Sequence, residues 1–367
     1  MKQGWEIKKL GEVCEIINGF AFKSQLFKKI GDDILRISNI QNGTIDDKDI
    51  VHFSKEDYPR INFDKYAVYP NDIVVALSGA TTGKFGINNT GRKLYLNQRV
   101  AICREKVSFL HHLFLFYFLK TQSKTFLESA AGVAQPNLST EQMKEYDIPI
   151  PPLAEQERIV AELDCLSGVI EKKKQQLKEL EALAQSIFYE MFGDPITNEK
   201  GWEVKKFPDC YKLTSGKNLT SKKIIEGEFP VYGGNGIVGY HIDYNLDGDN
   251  IIIGRVGALC GNVRNVLGKT YITDNAFILS KIEKRWINVF ILFLLEIHNL
   301  RQYARDALQP VVSNSGFKNI DIILPPLSLQ QAFASKIEAI EKQKELIKQS
   351  IKEVETFFNS RMDYYFN

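Results

Sequence analysis

Two glycine-rich segments come closest to the sequence patterns that hold nucleotides. Residues 79–85 (Gly-Ala-Thr-Thr-Gly-Lys-Phe) are one residue short of a P-loop and lack its final Ser or Thr. Residues 234–239 fit G-x-G-x-x-G, but the Tyr-His-Ile-Asp-Tyr-Asn that follows is typical of turns and strands. A dinucleotide site would instead open a helix at this point. We therefore expect neither segment to bind a nucleotide cofactor.

The other residues of catalytic type are not spaced for a reaction. The five histidines show no metal-ligand or triad spacing, and the five cysteines form no Cys-x-x-Cys pair. A zinc site and a disulfide framework are both disfavoured, as in proteins of a reducing cytoplasm. The Pro-Pro pairs at 151–152 and 325–326 lack the amide and aromatic neighbours with which a DNA methyltransferase holds its target base. We predict no catalytic site and no metal on this chain.

The elements around these residues occur twice. Gly-Trp-Glu-Ile-Lys-Lys-Leu at 4–10 returns as Gly-Trp-Glu-Val-Lys-Lys-Phe at 201–207, an offset of 197 residues. Pro-Pro-Leu at 151–153 returns at 325–327, an offset of 174, and a Gly-Ala-x-x-Gly between these anchors returns at an offset of 178. Matches in one order and with small changes of offset predict a duplicated domain-plus-helix unit, because the period is far too long for a solenoid.

Each copy has the pattern of a mixed α/β domain. Apolar runs at 72–77 and 250–254 are bounded by turn residues, as buried strands tend to be. Apolar helices are expected at about 108–120 and 286–300, and their apolar runs are too short to cross a membrane. The net charge of +2 indicates nothing about partners by itself.

A long stretch with heptad spacing follows each Pro-Pro-Leu. Apolar residues every 3.5 positions pack into the spaces of a partner helix. The predicted helix-pair interface consists of Leu163, Leu166, Ile170, Leu177, Leu180, Ile187, Ile337, Ile340, Ile347, Ile351, Val354 and Phe358. The first helix is terminated by Gly193 and Pro195, and the second domain begins at Gly201, so the second helix must run back along the first. The alternative is two ordinary amphipathic helices, each lying on its own domain.

Five segments of the chain match segments of a known family. They are Trp-Glu-x-Lys-Lys-Leu at 5–10, Asn-Gly-Phe-Ala-Phe-Lys-Ser at 18–24, Pro-Ile-Pro-Pro-Leu-Ala-Glu-Gln-Glu-Arg-Ile-Val at 149–160, Met-Phe-Gly-Asp-Pro at 191–195 and Phe-Pro-Val-Tyr-Gly-Gly-Asn-Gly-Ile-Val-Gly-Tyr at 229–240. These segments resemble the specificity (S) subunit of Type I restriction-modification systems, and the resemblance covers essentially the whole chain. It departs at 328–331, where Ser-Leu-Gln-Gln replaces the usual Glu-Gln, and the first copy has no counterpart of the segment at 229–240.

The fold class predicted from these observations is α+β. Two tandem mixed α/β target-recognition domains are each followed by a long helix, and the helices pair as an antiparallel coiled coil with pseudo-two-fold symmetry. The predicted boundaries are 1–150 for the first target-recognition domain, 151–192 for the central helix, 193–200 for a linker, 201–324 for the second target-recognition domain and 325–367 for the C-terminal helix.

The resemblance implies a non-catalytic, cytoplasmic DNA-binding subunit with no membrane partner. Each domain would read one half of a bipartite target in double-stranded DNA, across a nonspecific gap. The helix pair would set the gap and dock two methyltransferase (modification) subunits, and restriction/translocase subunits would join them. The resemblance implies no cofactor on this chain and places S-adenosylmethionine, ATP and Mg²⁺ on the partner subunits.

Candidate DNA-binding residues lie in the Gly- and Asn-rich stretches of both copies. Arg and Lys pair with guanine edges, and Asn and Gln pair with adenine. Arg255, at the end of a Gly-rich strand, is the first choice among them. The candidates are Thr81, Thr82, Lys84, Asn97, Gln98 and Arg99 in the first domain, and Tyr232, Asn235, Arg255, Asn262, Arg264 and Asn275 in the second.

Two other functions remain open from the sequence. A stand-alone sequence-specific DNA-binding regulator would bind its site tightly without a docked partner. A self-contained DNA methyltransferase would transfer methyl groups with S-adenosylmethionine alone, although the motifs for this reaction are missing.

Overall fold

The computed structural model describes residues 4–41, 43–79, 82–130, 138–282, 286–305 and 310–366. The chain divides into two units, Met1–Lys172 with Ile351–Asn367, and Lys173–Ser350. Each unit therefore contains one mixed α/β domain and a part of both long helices. Among the residues described, no helix combines the length and the apolar character needed to cross a membrane.

The first unit is built on a six-stranded sheet, a four-stranded sheet and a two-stranded sheet. In order across each sheet, the strands are β2-β11-β8-β9-β5-β4, β6-β3-β10-β7 and β1-β12. The strands are β1 Glu6–Lys9, β2 Cys14–Asn18, β3 Asp32–Leu35, β4 Ile40–Gln41, β5 Gly43–Ile45, β6 Val51–Phe53, β7 Ala67–Val68, β8 Ile73–Ala76, β9 Phe85–Ile87, β10 Leu94–Leu96, β11 Val100–Glu105 and β12 Asp147–Ile150; the helices are α1 Leu10–Val13, α2 His112–Ala130, α3 Thr140–Lys144 and α4 Leu153–Phe192.

The second unit repeats this plan with fewer strands. Its sheets are β14-β20-β17-β18, β16-β15-β19 and β13-β21, which correspond to β2-β11-β8-β9, β6-β3-β10 and β1-β12. The predicted duplication is therefore visible strand by strand. The elements are β13 Val204–Lys206, α5 Phe207–Cys210, β14 Tyr211–Ser215, β15 Phe229–Gly233, β16 Gly236–His241, β17 Asn250–Gly254, β18 Val263–Val266, β19 Tyr271–Ile272, β20 Ala276–Lys281, α6 Asn288–Ile297, β21 Asp321–Ile323 and α7 Leu327–Phe366.

The two apolar helices differ in length from the sequence prediction. Helix α2 continues to Ala130, because Phe126 lies on the same buried face as Phe118 although polar residues stand between them. Helix α6 is shorter than expected. It ends at Ile297, and Asn299 just beyond it has the left-handed backbone conformation (φ 45°) that terminates helices.

The long helices α4 and α7 pack together in each unit and run antiparallel there. In the first unit, the Tyr365 hydroxyl near the end of α7 donates to Glu162 near the start of α4 at 2.6 Å. Arg361 also donates to the Glu162 carboxylate and lowers its pKa. In the second unit, Lys344 Nζ lies 3.7 Å from a Glu181 carboxylate oxygen. The mixed α/β class and the antiparallel helix pair are confirmed.

The predicted interface residues differ in burial. Leu163, Ile170, Ile337, Ile340 and Phe358 are buried, and Leu163 is completely inaccessible. The partly buried ones are Leu166, Leu177, Leu180, Ile187, Ile347, Ile351 and Val354. Several of them also pack against the domain of their own unit, so the helix pair and each domain share one hydrophobic core.

A buried glutamine joins the start of each long helix to its domain. Gln156, which is 0% exposed, donates to the Phe109 and Pro151 carbonyls, both at 2.8 Å. Its own carbonyl accepts from the His111 amide at 2.8 Å. Gln330 makes two equivalent bonds: its side chain donates to the Pro325 carbonyl at 3.0 Å and accepts from the Ile287 amide at 3.1 Å. These side chains fix the helix start to the loop before α2 or α6.

Replacement of Gln156 by alanine is expected to lower the free energy of unfolding by roughly 2–3 kcal/mol, because the buried Pro151 carbonyl, the partly buried Phe109 carbonyl and the partly buried His111 amide lose their partner. Urea unfolding followed by circular dichroism measures the change. Glu157→Ala, which alters an exposed neighbour on the same turn, is the control and should stay within about 0.5 kcal/mol. Equal losses for the two variants would show that the buried hydrogen bonds contribute nothing.

Candidate nucleic-acid interface

A glycine turn with the same hydrogen bonds follows strand β8 in the first unit and β17 in the second. In the part of the chain that the structure describes, we define it as residues 77–79 with 82–84 and as residues 255–262. In the second unit the Gly261 amide donates to the Gly254 carbonyl at 2.7 Å, and the Gly254 amide donates to the Asn262 carbonyl at 2.8 Å. In the first unit Gly83, Ala76 and Lys84 make the same pair of bonds at 2.8 and 2.7 Å. The main chain therefore sets the shape of this turn in both units.

Glycine is required at the end of this turn. Gly83 and Gly261 have φ values of +78° and +84°, in the left-handed region that favours glycine. A Cβ atom at Gly83 would lie 2.6 Å from the Ser123 carbonyl oxygen, and one at Gly261 would overlap the backbone of Arg301. The turn thus packs directly against the helical segment that follows the sheet.

A second, short turn lies beside the glycine turn; we define it as residues 97–99, before β11, and residues 273–275, before β20. The Leu77 amide donates to the Arg99 carbonyl at 2.9 Å, and the Arg255 amide donates to the Asn275 carbonyl at 2.8 Å. These bonds hold the two turns together in each unit. The candidates on the two turns are thereby brought to one edge of the sheet, although they are well separated in the sequence.

In the second unit the structure gathers the candidates around the two turns. The Arg255 guanidinium lies 5.3 Å from the centre of the Phe277 ring, and its Nη1 is 3.4 Å from Ser215 Oγ. Arg264 Nη2 donates to the Asn235 carbonyl at 3.3 Å. The Asn235 side chain accepts from the Leu259 amide at 3.3 Å, which fixes the β15–β16 hairpin to the glycine turn.

The remaining candidates of the second unit differ in position. Asn262 and Asn275 are exposed, and their carbonyls already hold the turns. Tyr232 and Arg264 line a cavity of 450 Å³ against α6, together with Glu296. Burial in this region raises the pKa of Glu296. The Tyr232 carbonyl accepts from the Thr273 amide of the short turn at 2.9 Å, so Tyr232 contacts both this cavity and that turn.

Positively charged groups of the second unit keep some of their donors unpaired. Within the described part of the chain, Nε of Arg255 and Nε of Arg264 are buried and have no hydrogen-bond acceptor. Because each guanidinium carries five N–H donors, the contacts made inside the protein leave part of this capacity unused. The Nε atoms themselves are buried, so contact with an incoming acceptor, such as a guanine edge or a phosphate, falls to the Nη groups.

In the first unit the candidates are divided between the inside and the surface. Gln98 and Arg99 are exposed, while Lys84 and Asn97 are half-buried. The Thr82 side chain is buried, and its hydroxyl donates to the Gly79 carbonyl at 2.7 Å, so it holds the turn together. Thr81 lies outside the described residues.

The glycine-rich segment at 234–239 forms the tip and second strand of a hairpin. Strands β15 and β16 pair antiparallel, and Gly236 at the hairpin has a φ of +117°. No helix begins there, unlike the start of a dinucleotide-binding helix. Among the residues described, no three His, Cys, Asp or Glu side chains come together as metal ligands.

The structure also shows polar residues that sequence reasoning missed. A cleft of 550 Å³ in the second unit is lined by Asn218, Thr220, Asn235, Asp274 and Asn275. Asp274 occupies the place in the short turn that Gln98 occupies in the first unit, at an offset of 176 residues. Alignment of the two short turns at this offset could have identified Asp274.

Comparison with known proteins gives one consistent result. A family model described as the Type I restriction modification DNA specificity domain matches residues 2–182 and 199–356. The EcoprrI specificity subunit of Escherichia coli is 27% identical over 283 residues, which are 72% of this chain and 69% of that protein. The EcoKI specificity subunit of Escherichia coli K12 is 21% identical over 93% of this chain and 82% of its own length. The EcoAI specificity subunit is 33% identical, but the match spans only 31% of it.

Two solved structures share the fold. The S subunit of a Type I restriction-modification system from M. genitalium has a TM-score of 0.55 at 17% identity, over 99% of this chain and 96% of that one. A chain from work on complex assembly and conformational transition of the type I R-M system has a TM-score of 0.60 at 17% identity, over 100% and 98%.

Proposed function

The chain belongs to the Type I restriction modification DNA specificity domain family, and we propose that it selects the DNA sequence on which a Type I restriction-modification complex acts. One observation supports this best. Both units hold the same pair of turns with the same main-chain hydrogen bonds but carry different polar side chains on them. A repeated scaffold with different side chains is suited to reading two different halves of a bipartite target.

The finer assignments rest on the same family membership. The chain itself is non-catalytic, and S-adenosylmethionine, ATP and Mg²⁺ belong to partner subunits. The helices α4 and α7, each of 40 residues, are about 60 Å long at 1.5 Å per residue. They keep a fixed gap between the two half-sites and dock two methyltransferase subunits, which restriction/translocase subunits join. Because the proposed target is DNA, the proposed location is the cytoplasm.

Mapping of methylated bases across the genome tests this function. The chain is expressed with its cognate modification subunits, and each is also expressed without the other. Methylation at one gapped, two-part motif that requires both components is the expected result. A continuous motif would contradict the two-domain reading. Methyl transfer by the purified chain with S-adenosylmethionine alone would contradict its non-catalytic role.

Arg255→Ala is expected to weaken recognition by about 1–3 kcal/mol at one base position, since the guanidinium is held over Phe277 at the edge of the glycine turn. Binding of the purified complex to duplexes that differ at single positions measures the effect. Lys318→Ala removes an exposed positive charge elsewhere in the same unit and serves as the control. A uniform loss over all sequences would make Arg255 a phosphate contact and contradict its role in base reading.

A further inference from the structure

The carboxylate of Asp274 stands at the wall of the polar cleft in the second unit. Its Oδ2 accepts a hydrogen bond from the Asn218 amide at 3.0 Å. Its main-chain carbonyl accepts hydrogen bonds from Ser215 Oγ at 3.4 Å and from Arg255 Nη1 at 3.5 Å. Asp274 is half-buried. The hydrogen bonds to its side chain and to its main-chain carbonyl together fix its position.

The charge of this carboxylate is not neutralised inside the protein. Within the described part of the chain, no Lys, Arg or His forms an ion pair with Asp274, and its Oδ1 receives no hydrogen bond. The adjacent Arg255 contacts the Asp274 carbonyl and not its carboxylate. An unpaired negative charge on a surface that approaches phosphates is repelled by them. A hydrogen bond accepted from the DNA would offset this repulsion.

We infer that Asp274 is a specificity-determining residue that reads the exocyclic amine of a cytosine in the major groove. This inference rests on the proposed function and deepens it. In the major groove, cytosine offers only its N4 amine donor, whereas guanine offers two acceptors and thymine an acceptor and a methyl group. Adenine has an N6 donor, but its neighbouring N7 is an acceptor that repels the second carboxylate oxygen. Cytosine is thus the one base whose edge suits a carboxylate.

The short turn of the first unit provides an internal comparison. Gln98 occupies the position equivalent to Asp274, because the same bond closes both turns. The Val100 amide donates to the Asn97 carbonyl at 2.9 Å, and the Ala276 amide donates to the Thr273 carbonyl at 3.1 Å. Gln98 is exposed and neutral, and its amide suits the adjacent N6 and N7 of adenine. One position on one scaffold therefore reads different bases in the two units.

The test maps the methylated motif of the complete complex with wild-type chain, Asp274→Asn and Asp274→Ala. The wild-type motif should require cytosine at one position of the half-site that Arg255→Ala alters. Asp274→Asn has the same size but pairs with adenine, so the preference for cytosine over adenine at that position should fall by about 10-fold or more. Asp274→Ala removes the acceptor and should relax the same position toward all four bases. Asp209→Asn, an exposed carboxylate on α5 of the same unit, is the control and should leave the motif unchanged.

Three results would overturn the inference: an unchanged motif in both Asp274 variants, a change at a position that is not cytosine, or an equal loss at every sequence. The thermal unfolding midpoint of each variant shows whether the fold is kept. If a variant unfolds, the wild-type motif still tests the inference. A half-site of the second unit that does not require a C·G pair contradicts the assignment of Asp274 to cytosine. A wild-type chain that directs no gapped methylation would overturn the proposed function itself. A gapped motif that the Asp274 variants leave unchanged would overturn this inference alone.

Discussion

Replacement of Phe188 by alanine is expected to lower the free energy of unfolding of the second unit by about 3–5 kcal/mol. Phe188 is 0% exposed in the core shared by α4, α6 and α7. Its ring centre lies 5.0 Å from that of Phe192, 5.8 Å from that of Phe290 and 5.6 Å from that of Phe333. Alanine removes the transfer free energy of the ring and leaves a cavity that three aromatic neighbours cannot close by small shifts. Guanidinium unfolding followed by tryptophan fluorescence and circular dichroism measures the loss.

The adjacent residue offers a matched control for this substitution. Tyr189 is of similar size and helix propensity but is 44% exposed. Tyr189→Ala should therefore cost about 1 kcal/mol or less. If both variants lost the same free energy, the aromatic cluster would not be the source of the stability. Phe188→Leu, which keeps most of the buried volume, should recover a large part of the loss.

Gly261→Ala is expected to destabilise the second unit by about 2–5 kcal/mol. At a φ of +84° an alanine costs about 1–2 kcal/mol in backbone energy alone. Its Cβ would also overlap the backbone of Arg301, so the segment after α6 must move, at a further cost typical of overpacking. Because Gly261 closes the glycine turn, we expect the same variant to broaden the half-site read by the second unit while the other half-site stays intact. Chemical unfolding and motif mapping measure the two effects.

The substitution Gly268→Ala separates the backbone cost from the cost of overpacking. Gly268 has a similar φ of +69°, but nothing lies within 4 Å of an added Cβ. Gly268→Ala should therefore show only the backbone cost of about 1–2 kcal/mol. Equal losses at the two glycines would mean that the contact with Arg301 is tolerated. A smaller loss at Gly261 than at Gly268 would contradict the close packing of the turn.

The repeated architecture could be predicted from the sequence because its signals are local and periodic. The strand runs at 72–77 and 250–254 contain β8 and β17, and the heptads coincide with α4 and α7. Gln156 and Gln330 lie at the same offset of 174 residues as the Pro-Pro-Leu segments, and the structure shows that both make the same hydrogen bonds. Periodicity and internal repetition thus indicated both the class of fold and the pairing of its helices.

The site could be predicted only in part, because its geometry depends on bonds between distant segments. The contact between Leu77 and Arg99 joins two turns that lack a common pattern in the sequence. The inward direction of Thr82 follows from the closure of its turn, which residue type alone does not reveal. Asp274 was missed because acidic residues are not expected where phosphates approach. The individual assignments of DNA-binding residues remain predictions.

The paired turns have a consequence for how such a protein changes over generations. Their shape is set by main-chain hydrogen bonds and by glycines, so the fold makes few demands on the exposed side chains at positions such as 98 and 275. Mutation or recombination can exchange those side chains at little cost in stability. New sequence preferences can then be acquired in one half while the other half keeps its own. Because the repeated framework tolerates these exchanges, sequence recognition can change from generation to generation while the assembly of the protein stays the same.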